Sequence, residues 1–328
     1  MHSDDLFGGR PSKPARRPAG VAPATAGPDL KALATRLDPQ VHLGTSSWSF
    51  PGWAGLVYQG EHTPQRLARD GLAAYAAHPL LRTVSLDRSF YRALPASAYA
   101  ALAAQVPPDF RFVVKAAASV TDAVLRDPAS GRPSGPNPLF LDPALALAEV
   151  LQPVVEGLGE RLGALVFQLS PLPRPWLAEP QRLLDALDRL FAGLPRPAHG
   201  VLALELRDAA PLTPALARLL LGHGVRWCLG LHDRMPAIDD QLPMLRAMWP
   251  GPLVCRWNLQ RGLDYTQAKD LFAPFDRLQA PDPDTRAVLA RVIAATVAAG
   301  HPAFVTINNK AEGSAPLSVE ALARAIAG

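Results

Sequence analysis

Only two cysteines, Cys228 and Cys255, occur in 328 residues. They are too few for a disulfide framework and too isolated for a CxxC metal motif. A reducing cytoplasm is therefore the simplest expected compartment. No apolar run reaches the roughly 18 residues of a membrane span, and no apolar signal segment opens the chain, so no membrane association is expected. No H-x-x-x-H pair offers a zinc site. No G-x-G-x-x-G follows the first strand-like run, which argues against an open dinucleotide-binding sheet. Concentrated charge is missing too. Thirty-three Lys and Arg oppose 29 Asp and Glu for a net charge of +4, shared evenly between residues 1–40 and the rest. Direct nucleic-acid binding wants a clustered basic face, so the balance argues against it.

What is present is core-forming material. Hydrophobic residues make up 48% of the chain and charged residues 19%, the composition of a folded protein with a sizeable interior. Residues 1–39 are rich in Pro, Ala, Gly and Arg and read as a flexible tail, with one short helix over Leu30–Leu37. Within the tail, Ser3–Phe7 (SDDLF) sets Leu6 and Phe7 in a polar end. That segment resembles sliding-clamp-binding peptides, which implies a clamp as partner; a hydrophobic pair without function is the competing reading.

From residue 40 the pattern becomes regular. Short β-branched or apolar runs occupy 41–46, 83–88, 110–116, 164–170, 201–207, 226–233, 253–258 and 303–308. Segments of helical period separate them. Three helices are expected to start at Thr63-Pro64, Asp142-Pro143 and Thr213-Pro214. There a side-chain oxygen can cap a free N–H, and proline fills the first helical position. The last helix is expected near Ser318. Eight strands alternating with helices over 40–328 predict an α/β fold, a single-domain (β/α)8 TIM barrel, with the doubly wound open sheet as alternative.

In such a barrel the C-terminal strand ends surround the mouth where sites are built. Those ends carry Ser85 and Asp87, Lys115, Gln168, Glu205 and Arg207, Asp233, Arg256 and Asn258, and Asn308 with Asn309. Period-two alternation puts Glu205 and Arg207 on one face, and likewise Arg256 and Asn258. If Asp233 and Arg256 point inward, Cys228 and Cys255 point outward as core fillers. An internal ion pair of structural purpose competes with the site reading, because a buried charge needs a partner.

The stretches GTSSWSFPGW (44–53), SFYRALP (89–95), FRFVVKA (110–116), LELRD (204–208) and INNKAEGSA (307–315) resemble the YecE-type bacterial domain of unknown function. The resemblance spans roughly residues 41–320. It implies a (β/α)8 barrel with mouth residues Lys115, Gln168, Glu205, Arg207, Asp233, Arg256, Asn308 and Asn309, and it implies no particular reaction. Departures from the family pattern fall in three places. Ser85 and Asp87 stand where Glu and Asn are common. Asp122 replaces a frequent His, and Arg256-Trp257-Asn258-Leu259 replaces Arg-x-His-Gly.

The ring of Lys115, Arg207 and Arg256 against Glu205 and Asp233 suits a small anionic or phosphorylated metabolite. Arginine clamps carboxylate or phosphate bidentately, and lysine adds a point charge. Gln168, Asn308, Asn309 and Asp87 complete the expected substrate contacts, and the loop after the last strand offers amides and Lys310. Glu205 is the expected general acid or base. Lys115 is either a plain charge or, with a depressed pKa, a Schiff-base amine. No cofactor is required; Glu205, Asp233 and Asp87 as oxygen ligands for Mg²⁺ or Mn²⁺ form the second chemical reading. Trp48 and Tyr91 are expected to stack on a ligand, against the plainer reading that the aromatics plug the barrel top. Segment 117–142 is an insertion that forms a lid or lies disordered. These features point to a non-redox lyase, isomerase or hydrolase. A non-catalytic metabolite-binding barrel and an accessory protein of nucleic-acid maintenance recruited through SDDLF are the alternatives.

Overall fold

The computed structural model describes residues 20–127, 129–232 and 235–328. Its eight principal strands fall where the apolar runs predict them: β1 Val41–Thr45, β2 Thr83–Leu86, β3 Arg111–Lys115, β4 Leu162–Gln168, β5 Val201–Glu205, β6 Arg226–Leu231, β7 Leu253–Trp257 and β8 Ala303–Ile307. They close in the order β1-β8-β7-β6-β5-β4-β3-β2, every neighbour parallel. The sheet has no free edge, and the α/β TIM-barrel expectation is met.

Register sorts the side chains. Paired residues of parallel strands share a face, so the pairs Val166–Ala203, Ala203–Arg226 and Cys228–Val254 set one inward row. The inner plug is Val113, Ala164, Val166, Ala203, Cys228, Val254 and Phe304. Alternate residues, including Phe112, Phe167, Trp227, Cys255 and Trp257, join the larger core between strands and helices. Cys228 therefore faces inward, contrary to the expectation, while Cys255 faces outward as expected. The count back from Asp233 fails because β6 ends at Leu231, and strict alternation ends with it. Both cysteines are free and buried.

Helix starts follow the cap chemistry. Thr63, Asp142 and Thr213 accept hydrogen bonds from the amides of Arg66, Leu145 and Leu216 at 3.3, 2.7 and 3.3 Å. The last helix spans Ala315–Ala327, beginning three residues before Ser318. Segment 117–142 contains a helical turn, Ala118–Thr121, and a two-stranded antiparallel hairpin, Val124–Arg126 with Pro133–Pro136.

From residue 20 onward, the stretch read as tail lies against the barrel. The amides of Ala24 and Gln59 donate to Val57 and Ala22 carbonyls at 2.9 Å each. The helix Pro28–Arg36 then packs on the last helix and buries Leu33 and Ala34. Those two apolar residues give the segment an anchoring face that its proline content obscured. Leu6 and Phe7 lie outside the described residues. No helix among the described residues is long and apolar enough to cross a membrane.

Candidate functional site

β5 delivers Glu205 to the mouth as a fully buried carboxylate, and β7 delivers Arg256 from across the barrel. Arg256 is 2% exposed, and it is tied on three sides. Its Nη1 donates to Glu205 Oε2 at 2.7 Å and to Gln168 Oε1 at 2.9 Å, while Nη2 donates to Asp87 Oδ1 at 2.8 Å. The Ser85 hydroxyl donates to the same Asp87 oxygen at 2.7 Å. Arg207, two residues beyond Glu205, donates to Gln168 Oε1 at 2.9 Å and lies 3.0 Å from Glu205 Oε1. The guanidinium of Arg256 thus joins groups carried by β2, β4, β5 and β7. It forms the floor of the mouth above the apolar plug.

Space for this network is made by Gly230 on β6. A Cβ there would stand 3.2 Å from Glu205 Oε1 and 2.8 Å from Met235 Cε, so any larger side chain presses on the carboxylate. Glu205 Oε1 is nevertheless buried without a hydrogen bond, as is Arg256 Nε. Both are polar atoms held out of water with unused capacity.

The electrostatics follow from the contacts. Burial raises the Glu205 pKa, but Arg256 and Arg207 outweigh it and hold the carboxyl below its ordinary range. Burial lowers the Arg256 pKa, but Asp87 and Glu205 outweigh it and hold the guanidinium firmly charged. Glu205 is therefore a fixed anion clamped between two cations. That is a poor state for the general acid or base expected of it, which needs a pKa near the working pH.

Lys115 ends β3 half-buried. Its Nζ sits 3.5 Å from the centroid of the Phe90 ring, a cation–π geometry, and makes no ion pair among the described residues. The carboxylates that could pair with it are already engaged by Arg256. Burial first, then Arg256, with Arg207 adding to them, push the Lys115 pKa down to about 7 against the opposing pull of Asp87 and Glu205.

Other expected site residues separate into two groups. Asn308 remains at the rim, donating from Nδ2 to Ser46 Oγ at 2.8 Å, and its Oδ1 accepts from the Lys310 amide at 3.0 Å. Lys310 lays its Nζ 4.2 Å from the Tyr265 ring centroid. Asn309 is fully buried. Its Oδ1 accepts from Trp53 Nε1 at 3.1 Å and from the Ala315 amide at 2.8 Å, so it fastens the first turn of the last helix. Trp48 is 5% exposed and donates from Nε1 to the Leu67 carbonyl at 3.0 Å, a packing role in line with the plug reading. Tyr91 stands 86% exposed beside Phe90, free to meet a ligand. Asp233 lies outside the described residues.

Phe90, Ser46 and Gly230 had no expected role. Phe90 was legible only as one of several aromatics, because no pattern says which ring lies on the lysine. The Mg²⁺ or Mn²⁺ reading does not fit Glu205 and Asp87, because Arg256 bridges them and puts a positive charge between the would-be ligands. Among the described residues, no three His, Cys, Asp or Glu side chains form a group able to hold a metal ion.

A family model described as protein of unknown function DUF72 matches residues 42–328. A solved DUF72 family protein from Thermotoga maritima MSB8 is 20% identical, with a TM-score of 0.56 over 87% of this chain and 98% of that one. Another from Enterococcus faecalis V583 is 16% identical, with a TM-score of 0.54 over 87% and 95%. At these identities the solved structures support the fold alone. No curated protein matches the chain.

Proposed function

The chain belongs to the DUF72 family of proteins of unknown function, and on that premise we propose that its barrel mouth binds a small anionic or phosphorylated metabolite. We read the YecE-type motifs as belonging to this same family. The observation that carries the proposal is an imbalance of charge. Among the described mouth residues, Lys115, Arg207 and Arg256 are cationic and only Glu205 and Asp87 are carboxylates. Both carboxylates are bound to Arg256, which leaves the Lys115 amine without an ion pair among the described residues. A carboxylate or phosphate group entering the mouth supplies it, at a site where low dielectric strengthens the attraction.

In this reading, Arg256, Glu205, Gln168 and Asp87 are a rigid floor, while Lys115, Arg207 and Asn308 face the ligand. Tyr91 provides an aromatic surface at the rim. Chemistry, where there is any, is non-redox and does not route through Glu205 as a proton carrier. The buried free thiols of Cys228 and Cys255 fit a reducing, cytoplasmic setting, which is part of the proposal.

Calorimetric titration with inorganic phosphate, pyruvate and malate tests the reading. Binding of at least one anion is expected, weakening with added salt and lost in Lys115→Met. Absence of binding by all three at millimolar concentration, or equal binding by the variant, overturns it. Product analysis on the anion that binds then separates an enzyme from a binding protein.

A further inference from the structure

We propose that Lys115 is an imine-forming residue, whose amine condenses with the carbonyl carbon of a small anionic aldehyde or 2-oxo acid held in the mouth. The inference rests on the anion-binding reading and deepens it to a substrate class.

Three features of the structure carry it. First, Lys115 is in no ion pair among the described residues: Arg256 joins Asp87 and Glu205 at 2.8 and 2.7 Å, and the amine lies over the face of Phe90. A lysine held to neutralise carboxylates would be the one paired with them. Second, burial and the neighbouring Arg256 and Arg207 outweigh the pull of Asp87 and Glu205, a balance that favours a neutral, nucleophilic amine. The lowered pKa of about 7 agrees with this arrangement. Third, the cations beside the amine can hold the carboxylate or phosphate of the substrate. The anionic group is then fixed while the carbonyl meets Nζ, so the reaction becomes effectively intramolecular.

The step balances without any further reagent. The Nζ lone pair attacks the carbonyl carbon, the C=O π electrons move to oxygen, and a proton passes from nitrogen to that oxygen. Addition of one proton from solvent lets the hydroxyl leave as water while the nitrogen lone pair forms the C=N bond. The product is a cationic iminium whose charge the bound anion partly offsets. Glu205 takes no part, because both of its oxygens lie beside arginines.

The chain has only five lysines, so the reacting one is easily mapped. Full-length protein is incubated with glyoxylate, pyruvate or pyridoxal 5′-phosphate in the presence of sodium cyanoborohydride, which reduces the iminium to a stable secondary amine. Peptide mapping by mass spectrometry then locates the adduct. Lys115 is expected to be labelled at pH 7 on the order of 100-fold faster than exposed Lys31 and Lys269. Its labelling is expected to level off above about pH 7. In Lys115→Arg and Lys115→Met, both checked for folding by circular dichroism, the fast adduct disappears. Labelling of Lys115 no faster than that of Lys31 overturns the imine. If the same compounds still bind by calorimetry, only the imine falls; if none binds, the anion reading falls as well.

Discussion

The two ends of the barrel use arginine in opposite ways. At the lower end, where helices lead into strands, Arg111 donates to the Pro108 and Phe110 carbonyls at 2.8 and 3.0 Å. Arg226 donates to the Pro252 and Met248 carbonyls at 3.1 and 2.8 Å. These side chains fasten the backbone of entering loops. At the mouth, Arg207 and Arg256 bond to no backbone carbonyl among the described residues and instead join Gln168, Glu205 and Asp87 side chains. Nothing about loop stability requires that arrangement. A buried ionic network is seldom more stabilising than apolar packing of the same volume, so its place at the mouth fits the proposal that this end binds a ligand.

The sharpest way to break this contrast is to remove one arginine from each end. Arg256→Met strands Asp87 and leaves the buried Glu205 facing Arg207 alone, with an expected loss of about 3–5 kcal/mol in urea unfolding. Arg226→Met removes hydrogen bonds to two carbonyls and is expected to cost about 1–3 kcal/mol. Equal losses would mean that the mouth network is a fastening like the lower one. By the same logic, Glu205→Gln is not a silent probe of chemistry, since it withdraws the negative charge on which both arginines depend.

Burial of titratable groups offers a second comparison. His42, 8% exposed, stacks on Phe304 with ring centroids 5.1 Å apart. Burial, then Arg111 and Arg82, lowers its pKa to about 4. The unfolded chain therefore takes up the proton first as pH falls from about 6.5, and the folded state loses stability until about pH 4. His78, which precedes β2, has a pKa lowered by burial against the opposing pull of Glu320. His42→Phe keeps an aromatic ring against Phe304 and removes one titration. Its loss of stability between pH 6.5 and 4 is expected to be about 2 kcal/mol smaller than that of the parent, by urea unfolding at each pH. An unchanged acid profile would place the sensitivity elsewhere.

These contrasts also explain what the sequence made legible. Each strand was found because a buried β run has a compositional signature that survives without its neighbours. Alternation inside those runs puts Glu205 with Arg207, and Arg256 with Asn258, on one face each, but leaves open which face is inward. Past the last paired residue the inference weakens, since loop geometry then sets where a side chain points. Cys228 was placed on the wrong face by counting back from Asp233, beyond the end of β6. Asn308 and Asn309 are adjacent and identical in type, yet one stays at the rim and the other caps a helix. Trp48 was no easier to separate from a stacking platform, because its indole partner, the Leu67 carbonyl, lies well away along the chain.

The smallest effect is also the one that best distinguishes a site from a fastening. Lys115 has a folded pKa of about 7, well below that of an unfolded lysine near 10.4. Between those values the unfolded state binds more protons, so this group's contribution to stability rises with pH from about 7 to 10 and is lost on descending to 7. Lys115→Met removes the penalised charge and keeps an unbranched chain against Phe90. It is therefore expected to be more stable than the parent at pH 6, by about 1–2 kcal/mol after solvent screening. The advantage should shrink steadily toward pH 10, as followed by urea midpoints along a pH series. A lysine kept for the fold would give the reverse sign, since its removal would cost stability at every pH. A variant that folds better while losing its anion would mean that the mouth retains a destabilising charge because the ligand, not the barrel, requires it.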